Sequence, residues 1–353
     1  MAEFRIAHDQ VGREAVVVVS APDESTRLVV AQRGATLLSW QASGLGRPVE
    51  LTDGYHDEAE LLAQDGVRNG LLAPFPNRIA DGRYRFDGRE HDLLPGRRPP
   101  RAEVYHGFAR SALFELASAE ASPRGARLVF RSAEIRPGRY PGYPFSIDLE
   151  VVYLFSGNEI DIEVRATNTG EHPAPYAAGW HPYFRLAGVI DDLTLQIPAD
   201  TLIRTDRALI PLPARDAFVA LDDHPSMDFR QPRQLGAAVI DACFGDLRPG
   251  PTGRAETVLR DSAAGSELRV WQLAGYMHVF TGDTLARDRR HSIALEPVET
   301  ITNAFNRAEF ASALRIHPGR RRRFRFGVSY RPTTSGELPD WDHAGRRVRR
   351  SGR

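Results

Sequence analysis

The sequence predicts an all-β protein, a large antiparallel β-sandwich of two packed sheets in a single domain. Three observations predict it. Period-two alternation of apolar and polar residues dominates, and helical spacing occurs only briefly, as over Asp57 to Ala63. The 30 glycines and 25 prolines punctuate the chain at short intervals, as turns between strands require. β-branched runs, such as the four valines between Ala15 and Ser20, suit a pleated and half-buried surface.

In chain order, Glu14 to Ser20 is the first clear strand, and Gly34 to Trp40 is the next strand but one. A strand closed by Asp87-Gly88 makes a hairpin after Arg83. The plainest hairpin spans Ile147 to Arg165. Ile147, Leu149, Val151 and Tyr153 alternate with other residues, Ser156-Gly157-Asn158 turns, and Ile160, Ile162 and Val164 alternate with charges. Leu268 to Trp271, Met277 to Thr281 and Ser292 to Leu295 follow as strands, and Phe324, Phe326, Val328 and Tyr330 alternate near the end. No repeat or linker divides residues 1–332. Thr333 to Arg353 is polar and arginine-rich, and is expected to be a disordered basic tail rather than a nucleic-acid arm.

Composition narrows the chemistry. The 353 residues carry 46 basic and 46 acidic side chains, a formal charge of zero, so no nucleic-acid or anionic-membrane partner is expected. One cysteine, Cys243, allows neither an intrachain disulfide nor a thiolate metal cage. The N-terminus has no signal-peptide pattern, and no apolar run approaches the ~20 residues of a membrane span. A cytoplasmic enzyme is the expectation. Every basic residue is arginine, so a Schiff-base lysine, a pyridoxal-phosphate anchor and a P-loop lysine are all impossible. Arginine stays protonated, and proton transfer falls to His, Asp, Glu or Tyr.

Four stretches look unlike ordinary sheet or turn. In Gly179-Trp180-His181-Pro182-Tyr183-Phe184, the proline places His181 where a strand ends or bends out of its sheet. Pro74-Phe75-Pro76-Asn77-Arg78 sets an amide beside a guanidinium in a rigid segment, a pair suited to a polyol or carboxylate. Val104-Tyr105-His106-Gly107 has a glycine that permits a tight turn or close approach. Ile293-Ala294-Leu295-Glu296-Pro297 runs an apolar strand into a carboxylate at the strand end, where burial makes it a stronger base. Glu299 is the rival acid, but it falls after the proline, and Glu296 is preferred.

Taken with Asp241 and Ala304-Phe305-Asn306, the order of these motifs resembles the aldose 1-epimerases, the galactose mutarotase-like proteins. The resemblance runs from about residue 14 to residue 330. It implies a large sandwich, a sugar substrate, no metal or other cofactor, and a monomer or homodimer. It implies Glu296 as the general base, His181 as the general acid, and His106 as an assisting histidine. Asn77, Arg78 and Asp241 would grip sugar hydroxyls. So would His278, which falls where many relatives have glutamine. Arg97, Arg98 and Arg101 resemble the phosphate-gripping arginines of hexose-6-phosphate epimerases, an alternative reading. A non-catalytic carbohydrate-binding sandwich is another. A glycoside hydrolase or lyase would want a second carboxylate, for which Asp241 is the candidate.

Overall fold

A computed structural model describes residues 2–44, 47–96, 104–186 and 188–332. Arg97, Arg98, Arg101 and the tail from residue 333 lie outside the described residues. Among the described residues, strands form three large antiparallel sheets of nine, eight and five strands, with two-stranded ribbons beside them. No described helix is long and apolar enough to cross a membrane.

The nine-stranded sheet holds the strands that are plainest in the sequence. Ile147–Phe155 and Glu159–Asn168 pair as a hairpin, and Arg321–Pro332 joins beside the second. Ile160, Ile162 and Val164 are all but fully buried. Their charged neighbours form a ladder on the outer face, where Arg165 bonds both Glu163 and Glu150, and Arg325 bonds Asp161. That division of faces is what period-two patterning demands.

The eight-stranded sheet packs on the first. Its central strands are Asp241–Gly245, Tyr276–Phe280, Ile293–Val298 and Gly179–His181, in that order. Trp180, Leu295, Met277, Val279 and Phe244 point into the shared core, and Trp180 stacks on Phe326 of the opposite sheet at 5.5 Å between ring centroids. The layered sandwich is therefore as expected. An additional sheet is not: Arg5–Val11, Glu14–Ser20, Arg27–Ala31, Leu37–Ser43 and Pro48–Glu50 pair only with one another. Helical spacing at Asp57 gives the short helix Glu58–Ala63, capped by the Asp57 carboxylate, which accepts from the Glu60 N–H at 2.9 Å.

Candidate active site

Strand register builds the centre of the site. Ile293–Val298 lies between Tyr276–Phe280 and a broken strand made of Gly179–His181 and Tyr183–Phe184. On one side Glu296 pairs with His278, and His278 pairs in turn with Cys243. On the other side Gly179 pairs with Val298 and Tyr183 with Ala294, so the same register sets His181 opposite Glu296. Residues directly opposite share a face. His181, Glu296, His278 and Cys243 thus form one row across the sheet, and His181 Nε2 stands 3.4 Å from Glu296 Oε1. Two residues along, Tyr183, Ala294, Phe280 and Asp241 form the next row on that face. His278 Nε2 reaches diagonally to Asp241 Oδ1 at 2.9 Å.

The expectation that Glu296 ends its strand needs correction. The strand continues through Pro297, which stays in register with Met277, to Val298. Pro182 lies across the way, and two residues without N–H groups open the ladder there. Across that gap the Leu295 N–H donates to the Pro182 carbonyl at 3.3 Å. Proline is tolerated inside this strand because it faces an already interrupted ladder. Glu299, just beyond, does not line the cavity. Its carboxylate accepts the Ala178 N–H at 2.7 Å and lies 3.5 Å from Arg322 Nε.

Loops supply the other wall. Asn77 and His106 both have left-handed backbone, at φ 55° and 65°. The Asn77 N–H donates to His106 Nδ1 at 3.2 Å, and the His106 N–H to the Asn77 carbonyl at 2.8 Å. With Nδ1 accepting, the neutral His106 ring carries its proton on Nε2. Asn77 Oδ1 accepts from Arg78 Nη1 at 3.1 Å, so the amide orients the guanidinium. His106 meets His181 edge to face at 5.1 Å, and Tyr183 stacks beside His181 at 5.0 Å. Gly107, at φ 62°, explains this placement: a Cβ there would stand 2.2 Å from the Ala73 carbonyl oxygen. Gly107→Ala should therefore cost about 1–3 kcal/mol of stability in urea unfolding and displace His106. A loss below ~0.5 kcal/mol would show that the turn yields freely.

All seven residues singled out in the sequence line one cavity of about 540 Å³. That falls within the ~300–1,000 Å³ of small-ligand sites. Burial sets its electrostatics. Desolvation, with His278 partly opposing it, pushes the Glu296 carboxyl up to about 8. Burial, then the His278 charge, brings His181 down to about 3. Burial and the neighbouring His181 hold His106 well below the ordinary imidazole value. His278 moves the other way: its burial is outweighed by Glu296, Asp241 and Cys243, which raise it well above the usual range. The Asp241 carboxyl is held low, against its burial, by His278. The site therefore contains one histidine favoured as a cation and two favoured as neutral rings. Among the described residues no His, Cys, Asp and Glu are grouped to hold a metal ion.

Other cavity residues carry no signal in the sequence. Glu60, Arg68, Tyr55 and Arg287 line its far side. Arg68 pairs with buried Asp53, Arg287 bridges Asp53 at 2.8 Å and Glu60 at 3.0 Å, and Ser292 donates to Asp53 at 2.7 Å. These residues come from opposite ends of the chain, and only the fold brings them together.

A family profile described as aldose 1-epimerase matches residues 16–329. An uncharacterized Escherichia coli protein, YihR, is 27% identical over 296 residues, 82% of this chain and 85% of its own. Human galactose mutarotase is 28% identical over 200 residues, 56% of this chain and 55% of its own length. In structure, a galactose mutarotase-like protein from Clostridium acetobutylicum superposes with TM-score 0.79 at 13% identity, covering 94% of this chain and 99% of that one. Galactose 1-epimerase from Lactobacillus acidophilus gives 0.77 at 15%, with 94% and 99% covered. At such identities these two establish the sandwich fold alone. The profile match spans most of the chain and all of its cavity-lining motifs, and the protein belongs to the aldose 1-epimerase family.

Proposed function

We propose that this epimerase interconverts the α and β anomers of a free hexose, with Glu296 and His181 as its proton-transferring pair. The observation that carries the reading is the 3.4 Å approach of His181 Nε2 to Glu296 Oε1, two buried groups on adjoining strands in one cavity. Anomer exchange opens the hemiacetal, turns the C1–C2 bond and closes the ring on the other face. Opening needs a base for the proton of the anomeric hydroxyl and an acid for the ring oxygen. Glu296 as carboxylate takes the first proton, and His181 as imidazolium gives the second. Closure runs through the same groups with roles exchanged. His106 presents Nε2–H beside them, and Arg78, oriented by Asn77, binds hydroxyls together with Asp241.

The chemistry requires one proton on the pair, wherever it rests. The site retains one between the His181 value of about 3 and the Glu296 value of about 8. The catalysed rate is therefore expected to hold through neutrality and to fall above about pH 8. The test is polarimetry on freshly dissolved α-D-glucose and α-D-galactose, with and without protein. Acceleration of either supports the reading. If neither is accelerated, glucose 6-phosphate is tried next, and acceleration there would replace the free hexose with its phosphate. Binding without turnover of all three would overturn the enzymatic reading.

A further inference from the structure

The row His181–Glu296–His278 is asymmetric. Both histidines are strand neighbours of Glu296, yet they differ in what else holds them. His181 has a buried Nδ1 with no hydrogen-bond partner among the described residues, and so does Glu296 at Oε2. His278 instead has its Nε2 on Asp241 Oδ1 at 2.9 Å, and Cys243 is its register partner on the neighbouring strand. Asp241 already claims this imidazole, which leaves it poorly suited to serve chiefly as a ligand for substrate hydroxyls.

We propose that His278 is a positioning residue for Glu296: an imidazolium anchored by Asp241, whose charge beside the carboxylate lets Glu296 give up its proton in a buried site. This deepens the reading of Glu296 as a proton-transferring group and rests on it. The groups facing His278 are Asp241 and Cys243 from one neighbouring strand and Glu296 from the other. His181 follows one strand further on, with His106 and Arg78 across the cavity. Two of the strand neighbours are carboxylates, and an imidazolium between them satisfies both. Its raised affinity for a proton agrees with that geometry. The arrangement solves a problem that burial creates. Glu296 is 1% exposed, and a carboxylate so placed ionises only where a nearby cation offsets its desolvation.

Two variants and two readouts test this. In His278→Gln, the alkaline limb of kcat/KM should move up by one pH unit or more, and kcat at pH 7.5 should fall at least tenfold, with KM changed less than threefold. If KM rises while the limb stays in place, His278 is a hydroxyl ligand and the proposal fails. The second readout needs no activity. The Glu296 carboxyl carbon-13 resonance, assigned by its loss in Glu296→Gln, is titrated in wild type, His278→Gln and Asp241→Asn. The midpoint should rise in His278→Gln and rise less in Asp241→Asn, which loosens the anchor of the imidazolium but also removes a like charge that itself raises Glu296. A midpoint unmoved in His278→Gln overturns the proposal, even in a protein that accelerates mutarotation. A midpoint that rises in a protein with no mutarotase activity would support the charge coupling and sink the functional reading instead.

Discussion

Glu296→Gln should reduce catalysed mutarotation by about 10²–10⁴-fold and yet make the protein more stable at alkaline pH. Both effects follow from one carboxyl. The amide is close in shape to the protonated acid, so packing at this buried position is retained, but it neither takes nor gives a proton. For stability, the sign follows from proton counts. An unfolded glutamate titrates near 4.5, whereas burial takes Glu296 to about 8 in the folded chain. Between those values the folded state binds more protons, so stability falls as pH rises through the window. The variant carries no such loss. Near pH 5 the two proteins should unfold at similar urea concentrations. At pH 9 the variant should be more stable by on the order of 2–4 kcal/mol, at about 1.4 kcal/mol per pH unit, less what His278 loses with its charge partner. Polarimetry and urea titration at pH 5, 7 and 9 check both halves. Equal stability at all three would mean that Glu296 is not desolvated. Undiminished catalysis would remove it from the mechanism.

Stability sacrificed at a functional position also explains which parts of this molecule were legible in its sequence. Strands with one face in the core and one in solvent advertise themselves. Ile160, Ile162 and Val164 had to alternate with charges because one face meets the opposite sheet and the other meets water. His181 was legible for a related reason, since an imidazole followed by proline breaks the pattern around it. The extent of the strand carrying Glu296 was not. Pro297 marks a strand end in almost any sequence, and it is accommodated here only because Pro182 has already opened the facing ladder. That compensation lies more than a hundred residues away. The separate N-terminal sheet was hidden similarly, because alternation identifies strands but says nothing of which sheet they join. Asn77 and Arg78 are adjacent in the sequence, but adjacency does not set their contact. It is the αL backbone at Asn77, a conformation asparagine adopts more readily than most residues, that turns the amide onto its neighbour.

Least legible of all was the charge cluster on the far wall, and its disruption should have the largest effect on folding. Asp53 is 2% exposed and Arg68 3%. The carboxylate accepts from Arg68, Arg287 and Ser292 together, which hold it ionised against the cost of burial. Asp53→Asn keeps the shape but leaves Arg68 as a buried cation facing an amide. Removing one partner of a buried pair costs about 3–5 kcal/mol, because the remaining charge stays desolvated. Ser292→Ala, which deletes one donor, should cost only ~1–2 kcal/mol. Urea midpoints at pH 7 give both. The gap between wild type and Asp53→Asn should narrow below pH 4, since a carboxylate held below its unfolded value contributes stability that is lost as acid protonates it. A cost under ~1 kcal/mol at pH 7 would mean that water or Glu60 reaches Arg68 and takes over its charge. The consequence extends to the site. Arg68 lies 5.3 Å over the Tyr183 ring, and Tyr183 stacks on His181. A guanidinium released from Asp53 no longer packs squarely over that ring. Asp53→Asn should therefore lower kcat/KM modestly even under conditions where it remains folded, because the tyrosine beside His181 loses the cation over its ring and keeps only its bonds to Gly66 and Asn69.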